Sequence, residues 1–287
     1  MNCGRETCFR HAGGLPRRLL CLGALAALAG SGCGSGLSTP RVIYLDGSFW
    51  FSSAGSVKSG LRAAGYDGAF ETFTWSTFLG WGADHLVAAR SKLRAKLLAG
   101  RIETLRRHNP KGKIHLMGLS AGTGLVVKAL KELPEGVEVD HVVLFSSSLS
   151  ARHNLVEALE HVRGRLYATC SGGDMVLASL PVNADGGVGR AAGQRGFVLP
   201  EGLSEDEKRQ YAKVVNLPWR AAYAGLGWNG GHVRVSRSRF VRSVIAPRIL
   251  SDKAFPLDRP MVIVEPKETP KRQEGTGQNP KRPNADS

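Results

Sequence analysis

The stretch IHLMGLSAGTGLVVKAL, beginning at Ile114, constrains this chain more than any other. An apolar run long enough for a buried strand passes within a few small residues into apolar positions at helical spacing. A strand can turn so sharply into a helix only where backbone packs on backbone. Gly118 and Gly122, on either side of Ser120, remove the side chains that would clash there.

The rest of the body repeats the same rhythm. RVIYLDG from Arg41, AFETFTW from Ala69, KIHLMG from Lys113, DHVVLFS from Asp140, RLYATCS from Arg165 and the late KVVNLPW read as strands. Between the second and third, Leu86, Leu93 and Leu97, then Leu98, Ile102 and Leu105, recur at helix-compatible spacings among basic residues. Leu125 to Leu133 and Asn154 to Val162 are further helices. Strand–helix alternation predicts an α/β fold, a mainly parallel sheet with helices on both faces. In such a sheet ligands sit beyond the carboxyl ends of the strands, where the strand from Lys113 delivers Ser120.

Gly118-Leu119-Ser120-Ala121-Gly122 fits the G-x-S-x-G nucleophile elbow. Ser120 would stand at the N-terminus of the following helix, where free amides and the helix dipole favour developing negative charge, and the amide of Ala121 is the first candidate donor to an oxyanion. A plain N-cap serine is the alternative reading. Phosphate-binding turns do not fit. Leu125 follows Gly124 where a P-loop needs lysine, and Val127 takes the third glycine position of a dinucleotide fingerprint.

On this strand–elbow–helix element the chain resembles the α/β-hydrolase family, with the likeness running from Arg41 to about Leu250. The resemblance implies a catalytic serine, acid and histidine in that chain order. Downstream of the acid candidates only His232 remains, in the Gly-rich loop LGWNGGHVRVS, which leads into a basic helix. Asp174, just after the strand from Arg165, stands where the family's acid commonly lies, although it would also serve as an N-cap. Asp185 and Asp206 are weaker candidates. The second oxyanion donor implied by the family is Gly47 or Ser48, in a loop with Asp46-Gly47 where the family usually has His-Gly. Phe49, Trp50 and Phe51, with Trp75, Phe78 and Trp81, are candidate walls of an acyl pocket or ordinary core residues.

The termini have a different character. Two arginines, Arg17 and Arg18, precede a short apolar segment and small residues ending at Cys33, the plan of a secretory signal over residues 1–33. The end of that segment resembles the lipobox of bacterial lipoproteins, which implies lipidation of Cys33, an anchor in the membrane and a place in the cell envelope. Gly30 stands where an aliphatic residue is usual, so simple cleavage near this point is the alternative. Residues 34–265 are read as the folded domain, with 182–217 as a cap or a surface excursion within it, and 266–287 as a disordered basic tail.

The formal charge of +15 sits on helices and tail rather than among aromatics, which supports nucleic acid poorly; it suits anionic lipid or envelope polymer, and equally a merely soluble basic surface. Of the five cysteines only Cys33 and Cys170 lie beyond the proposed signal peptide or at its end, and no metal-ligand spacing appears among them; a serine hydrolase implies no cofactor. The resulting expectation is an exported serine hydrolase that cleaves a small-molecule or lipid carboxylic ester through an acyl-enzyme on Ser120. The alternative is a catalytically silent module of the same fold that binds lipid or protein. Substrate length and oligomeric state are not readable from the chain.

Overall fold

A computed structural model of the chain describes residues 39–47, 52–75, 88–251 and 258. Six strands, β1 (Arg41–Leu45), β2 (Ala69–Thr72), β3 (Ile114–Leu119), β4 (His141–Phe145), β5 (Leu166–Cys170) and β6 (Val214–Pro218), form one sheet in the order β2-β1-β3-β4-β5-β6. All five pairings are parallel. The fold is therefore the α/β class expected from the alternation, and every strand expected from sequence is in the sheet.

Apart from the half-buried edge strand β2, the strands are buried on both faces, which is why they read as continuous apolar runs. On one face Ile43, Leu45, Leu116, Val142, Leu144 and Leu166 pack against helices α2 (Ala88–His108), α3 (Ala121–Lys131) and α4 (Val156–Glu160). On the other, Val42, Tyr44, Met117, Val143, Phe145 and Val215 meet α1 (Ala54–Ala63) and a C-terminal helical run. That run passes through Ser238–Phe240, a π-helical turn at Val241–Ile245 and Ala246–Leu250. It lies so close to α1 that a Cβ on Gly60 would come within 2.6 Å of the Ser238 carbonyl oxygen.

Helix α2 buries only part of the leucine set whose spacing predicted it. Its core stripe is Ala95, Leu98, Ala99, Ile102 and Leu105, whereas Leu93 and Leu97 are exposed. A spacing of four residues is shared by every stripe of a helix, so the periodicity alone did not say which leucines faced the sheet. Leu86 lies outside the described residues.

The segment 182–217 contains short helices α6 (Ala192–Arg195) and α7 (Glu205–Tyr211), after α5 (Met175–Ala178), and ends in β6. It begins beside the carboxyl end of β4, with Ala184 N donating to Ser148 O and Ser150 bridging to Ala191. It finishes as an ordinary helix–strand crossover, with Tyr211 buried in the core. Residues 1–33, read from sequence as a signal, with Cys33, and the stretch from residue 266 lie outside the described residues.

Candidate active site

Strand β3 ends at Leu119, and Ser120 then takes φ 54° and ψ −123°, a left-handed conformation rare for a residue with a side chain. Three contacts hold it there. Its amide donates to the Phe145 carbonyl at the end of β4, and its own carbonyl accepts from Thr123 N and Thr123 Oγ1. The flanking glycines are required by space: a Cβ on Gly122 would lie 2.6 Å from Asp46 O and 2.8 Å from Leu45 O, and one on Gly118 3.0 Å from the backbone of Gly122.

The loop after β1 closes over this turn. A Cβ placed on Gly47 would fall 3.3 Å from Ser120 Cβ and 3.9 Å from its Oγ, so Gly47 lies against the serine. Asp46, at the position where the resembled family usually carries histidine, points its carboxylate the other way. It accepts from Ser53 N, Ser53 Oγ and Ser52 Oγ and so ties the loop to the start of α1. Its carbonyl accepts from Trp75 Nε1 at 2.8 Å. Trp75 is thus a half-buried brace for the loop, packed on the core, rather than a free aromatic wall. Ser48, Phe49, Trp50, Phe51, Phe78 and Trp81 lie outside the described residues. Ala121 opens α3, where amides have no acceptor within the helix.

Two strands further along, Asp174 and His232 meet. His232 Nδ1 is 2.8 Å from Asp174 Oδ2, with both side chains buried. The other carboxylate oxygen, Oδ1, accepts from Leu177 N, so Asp174 is also the N-cap of α5. The two readings open at the sequence level are both realised, one by each oxygen. His232 Nε2 is buried with no hydrogen-bond partner among the described residues, Ser120 Oγ included. A buried ring nitrogen left unpaired is uncommon, and hydrogen bonds of this kind are often long before substrate arrives.

The remaining sequence candidates for the acid are engaged elsewhere. Asp185 pairs with His153 Nδ1 at 2.7 Å and accepts from the Ser150 amide. Asp206 sits on exposed α7, paired with Arg209.

Several supporting residues were not singled out from sequence. Ser171 Oγ accepts from Gly173 N, and a Cβ on Gly230 would come within 2.9 Å of that same oxygen, so Ser171 is where the acid loop and the histidine loop touch. Gly230 has φ +89°, which the paired glycines of Asn-Gly-Gly-His allow. Trp219 Nε1 donates to Trp228 O at 2.8 Å and closes the base of the histidine loop. Beyond β4, Ser146 is a second non-glycine residue at positive φ, and Ser147 Oγ hydrogen-bonds Thr123 Oγ1 behind the elbow.

No family model and no curated protein matches the chain. Solved structures similar to it include Aspergillus fumigatus lipase B, at TM-score 0.48 and 12% identity over 75% of this chain. The chain spans about half, 53%, of that lipase. A Trichoderma reesei cutinase in complex with a phosphonate inhibitor follows at 0.38 and 18%, covering 54% of this chain and 67% of the other. An acetyl xylan esterase stands at 0.40 and 14%, covering 74% and 99%. These are loose likenesses of fold, and the chemistry is read below from the site's own residues.

Beside the Asp174–His232 pair, exposed apolar side chains stand next to the exposed Asn229 and Arg234. Met175 and Val176 follow the aspartate and Val233 follows the histidine, and all three are exposed. Cys170, at the end of β5, is no rival nucleophile, since burial pushes its thiol up to about 12 and keeps it protonated. Among the described residues no cluster of His, Cys, Asp and Glu could hold a metal ion, and no helix is long and apolar enough to cross a membrane.

Proposed function

We propose that the protein is a serine hydrolase acting on carboxylic esters, with Ser120 as nucleophile, His232 as general base and acid, and Asp174 as the residue orienting the imidazole. The observation that carries this reading is the coincidence, on one sheet edge, of a serine held at positive φ between two obligatory glycines and a buried histidine paired with a buried aspartate. Each is uncommon alone, and structural serines and surface histidines do not require either.

In the proposed cycle His232 Nε2 takes the Ser120 proton as Oγ attacks the ester carbonyl. Asp174 keeps the ring's other proton on Nδ1 and offsets the imidazolium charge. The alkoxide forming on the carbonyl oxygen is received by the Ala121 amide at the helix N-terminus and by the backbone of the Gly47 loop. Nε2 then delivers its proton to the departing alcohol, and a water activated by the same nitrogen releases the acid. The exposed Met175, Val176 and Val233 favour an ester with an apolar acyl or alkyl part over a highly polar one. The signal-like residues 1–33 support export, and Cys33 supports a lipid anchor, which intact mass of the membrane fraction would reveal.

A fluorophosphonate probe tests the chemistry directly. Labelling is expected at Ser120, absent from Ser120→Ala and strongly reduced in His232→Ala. A folded protein that takes up no probe would make this a silent module of the fold.

A further inference from the structure

The outward face of α2 has no part in the site, yet its composition is unusual. Leu93 and Leu97, one turn apart, lie opposite the buried stripe of Ala95, Leu98, Ala99, Ile102 and Leu105, and are 58% and 50% exposed. Lys92 and Lys96 flank them on one side and Arg94 on the other, all exposed. From Arg90 to Arg101 the sequence carries five cations and no Asp or Glu. Arg101 is occupied by Glu71, while Lys128 of α3 brings a further cation to the same end, where its Nζ donates to Ser91 Oγ at 3.0 Å.

Leucine, lysine and arginine all suit an exposed helix, but propensity does not call for this arrangement of them. Arg90, in the first turn, opposes the positive end of the helix dipole, and that turn has no acidic residue to offset it. Aliphatic side chains facing water add nothing to the core. Both features instead match what a helix needs to lie on an anionic bilayer, apolar side chains at the crest and lysine or arginine on each shoulder.

We infer that the Lys92–Leu97 face of α2 docks the protein on an anionic lipid surface, with Leu93 and Leu97 entering the headgroup boundary and the flanking cations meeting lipid phosphates. Helix α2 links the carboxyl end of β2 to the start of β3, so its N-terminal half lies toward the sheet edge that carries Ser120. Docking by this half brings that edge toward the lipid. An acidic protein surface would engage the cations but has no use for the leucine crest.

The test is flotation of the full chain with phosphatidylcholine vesicles and with phosphatidylcholine–phosphatidylglycerol vesicles, at low and high salt. Binding is expected to the anionic vesicles only, weakened by salt. Reversing Lys92, Arg94 and Lys96 to Glu should weaken it roughly a hundredfold, on the scale of the electrostatic attraction of single basic residues to such surfaces. Leu93→Ser with Leu97→Ser should weaken it at least severalfold while leaving the unfolding midpoint unchanged, because both positions are exposed. Ser120→Ala should bind like the parent, which separates this inference from the esterase reading. Equal binding to both vesicle types, as an anchor elsewhere in the chain would give, overturns the inference. So does binding indifferent to the two leucines, or an absence of vesicle binding combined with self-association that the serine variants abolish.

Discussion

Asp174 Oδ2 lies 2.8 Å from His232 Nδ1 while Oδ1 of the same carboxylate accepts from Leu177 N, so one side chain both orients a ring and caps a helix. Asp174→Asn separates the two duties. The amide oxygen can still cap α5, but the NH2 facing Nδ1 forces the ring into the tautomer with its proton on Nε2, useless as a base toward Ser120. The expected outcome is a loss of kcat on the order of 10³–10⁴-fold, with stability lowered by no more than about 1 kcal/mol. Ester hydrolysis and thermal unfolding of the same preparation check it, and a variant that keeps its kcat would remove Asp174 from the mechanism.

Gly122 and Gly124, both near the start of α3, should respond differently to alanine. On Gly122 the new Cβ would meet two backbone oxygens, at 2.6 and 2.8 Å, which no side-chain rotation can relieve. Gly122→Ala is expected to destabilise by roughly 1–3 kcal/mol, as overpacking does, and to displace Ser120. On Gly124 the only neighbour is Leu149 Cδ2 at 3.5 Å, an ordinary contact. Inside α3, Gly124→Ala should therefore be neutral or stabilising by up to about 1 kcal/mol, the difference in helix propensity. Urea titrations of the two variants give the comparison, and equal costs would mean that the turn is not tightly closed.

Ser120 at φ 54° stores strain that glycine does not feel. Such conformations cost about 1–3 kcal/mol, against the roughly 0.5–1 kcal/mol of extra chain entropy that glycine loses on folding. Ser120→Gly should therefore raise stability by on the order of 1 kcal/mol, while Ser120→Ala, which keeps a Cβ, should not. Both are expected to be inactive. Chemical denaturation decides it: a Ser120→Gly no more stable than Ser120→Ala would show a relaxed backbone at the elbow.

The sheet was legible because parallel strands covered on both faces leave long apolar runs, and the elbow because a tight turn writes its glycines into the sequence. The site's partners were legible only in part. Asp174 read as acid or cap because the chain next to it shows only the cap partner, Leu177, whereas His232 lies 58 residues away. Asp46 looked like a misfit in an oxyanion loop; its carboxylate instead holds Ser52 and Ser53, a contact that no spacing rule announces. Leu93 and Leu97 were not told apart from the buried Leu98, Ile102 and Leu105 because i, i+4 spacing is the same on the wet and dry sides of a helix. Ser171 and Trp219 escaped notice because they act through loops that meet only after β5 and β6 pair.

His115 and His141, neighbours on β3 and β4, stack at 5.5 Å with their rings nearly parallel, an arrangement that makes stability depend on pH. Burial pushes both pKa values below the ordinary histidine range, and in His115 the charge of His141 pushes in the same direction. The folded protein thus takes up protons on these rings less readily than the unfolded chain, which does so near pH 6.5. Below that pH the unfolded state binds more protons, so stability is full above about 6.5 and falls as acid is added. Glu71 also loses stabilisation in acid, because Arg101 and Arg41 overcome the upward effect of its burial and lower its pKa, but its loss begins only near the usual carboxylate range. The interval from pH 6.5 to 5 therefore isolates the histidines. His115→Phe, which keeps a ring on His141 but cannot titrate, should reduce the slope of unfolding free energy in this interval by up to about 1.4 kcal/mol per pH unit. Urea unfolding at pH 7, 6 and 5 measures it, and a slope equal to that of the parent would show that His115 takes up its proton without unfolding the protein.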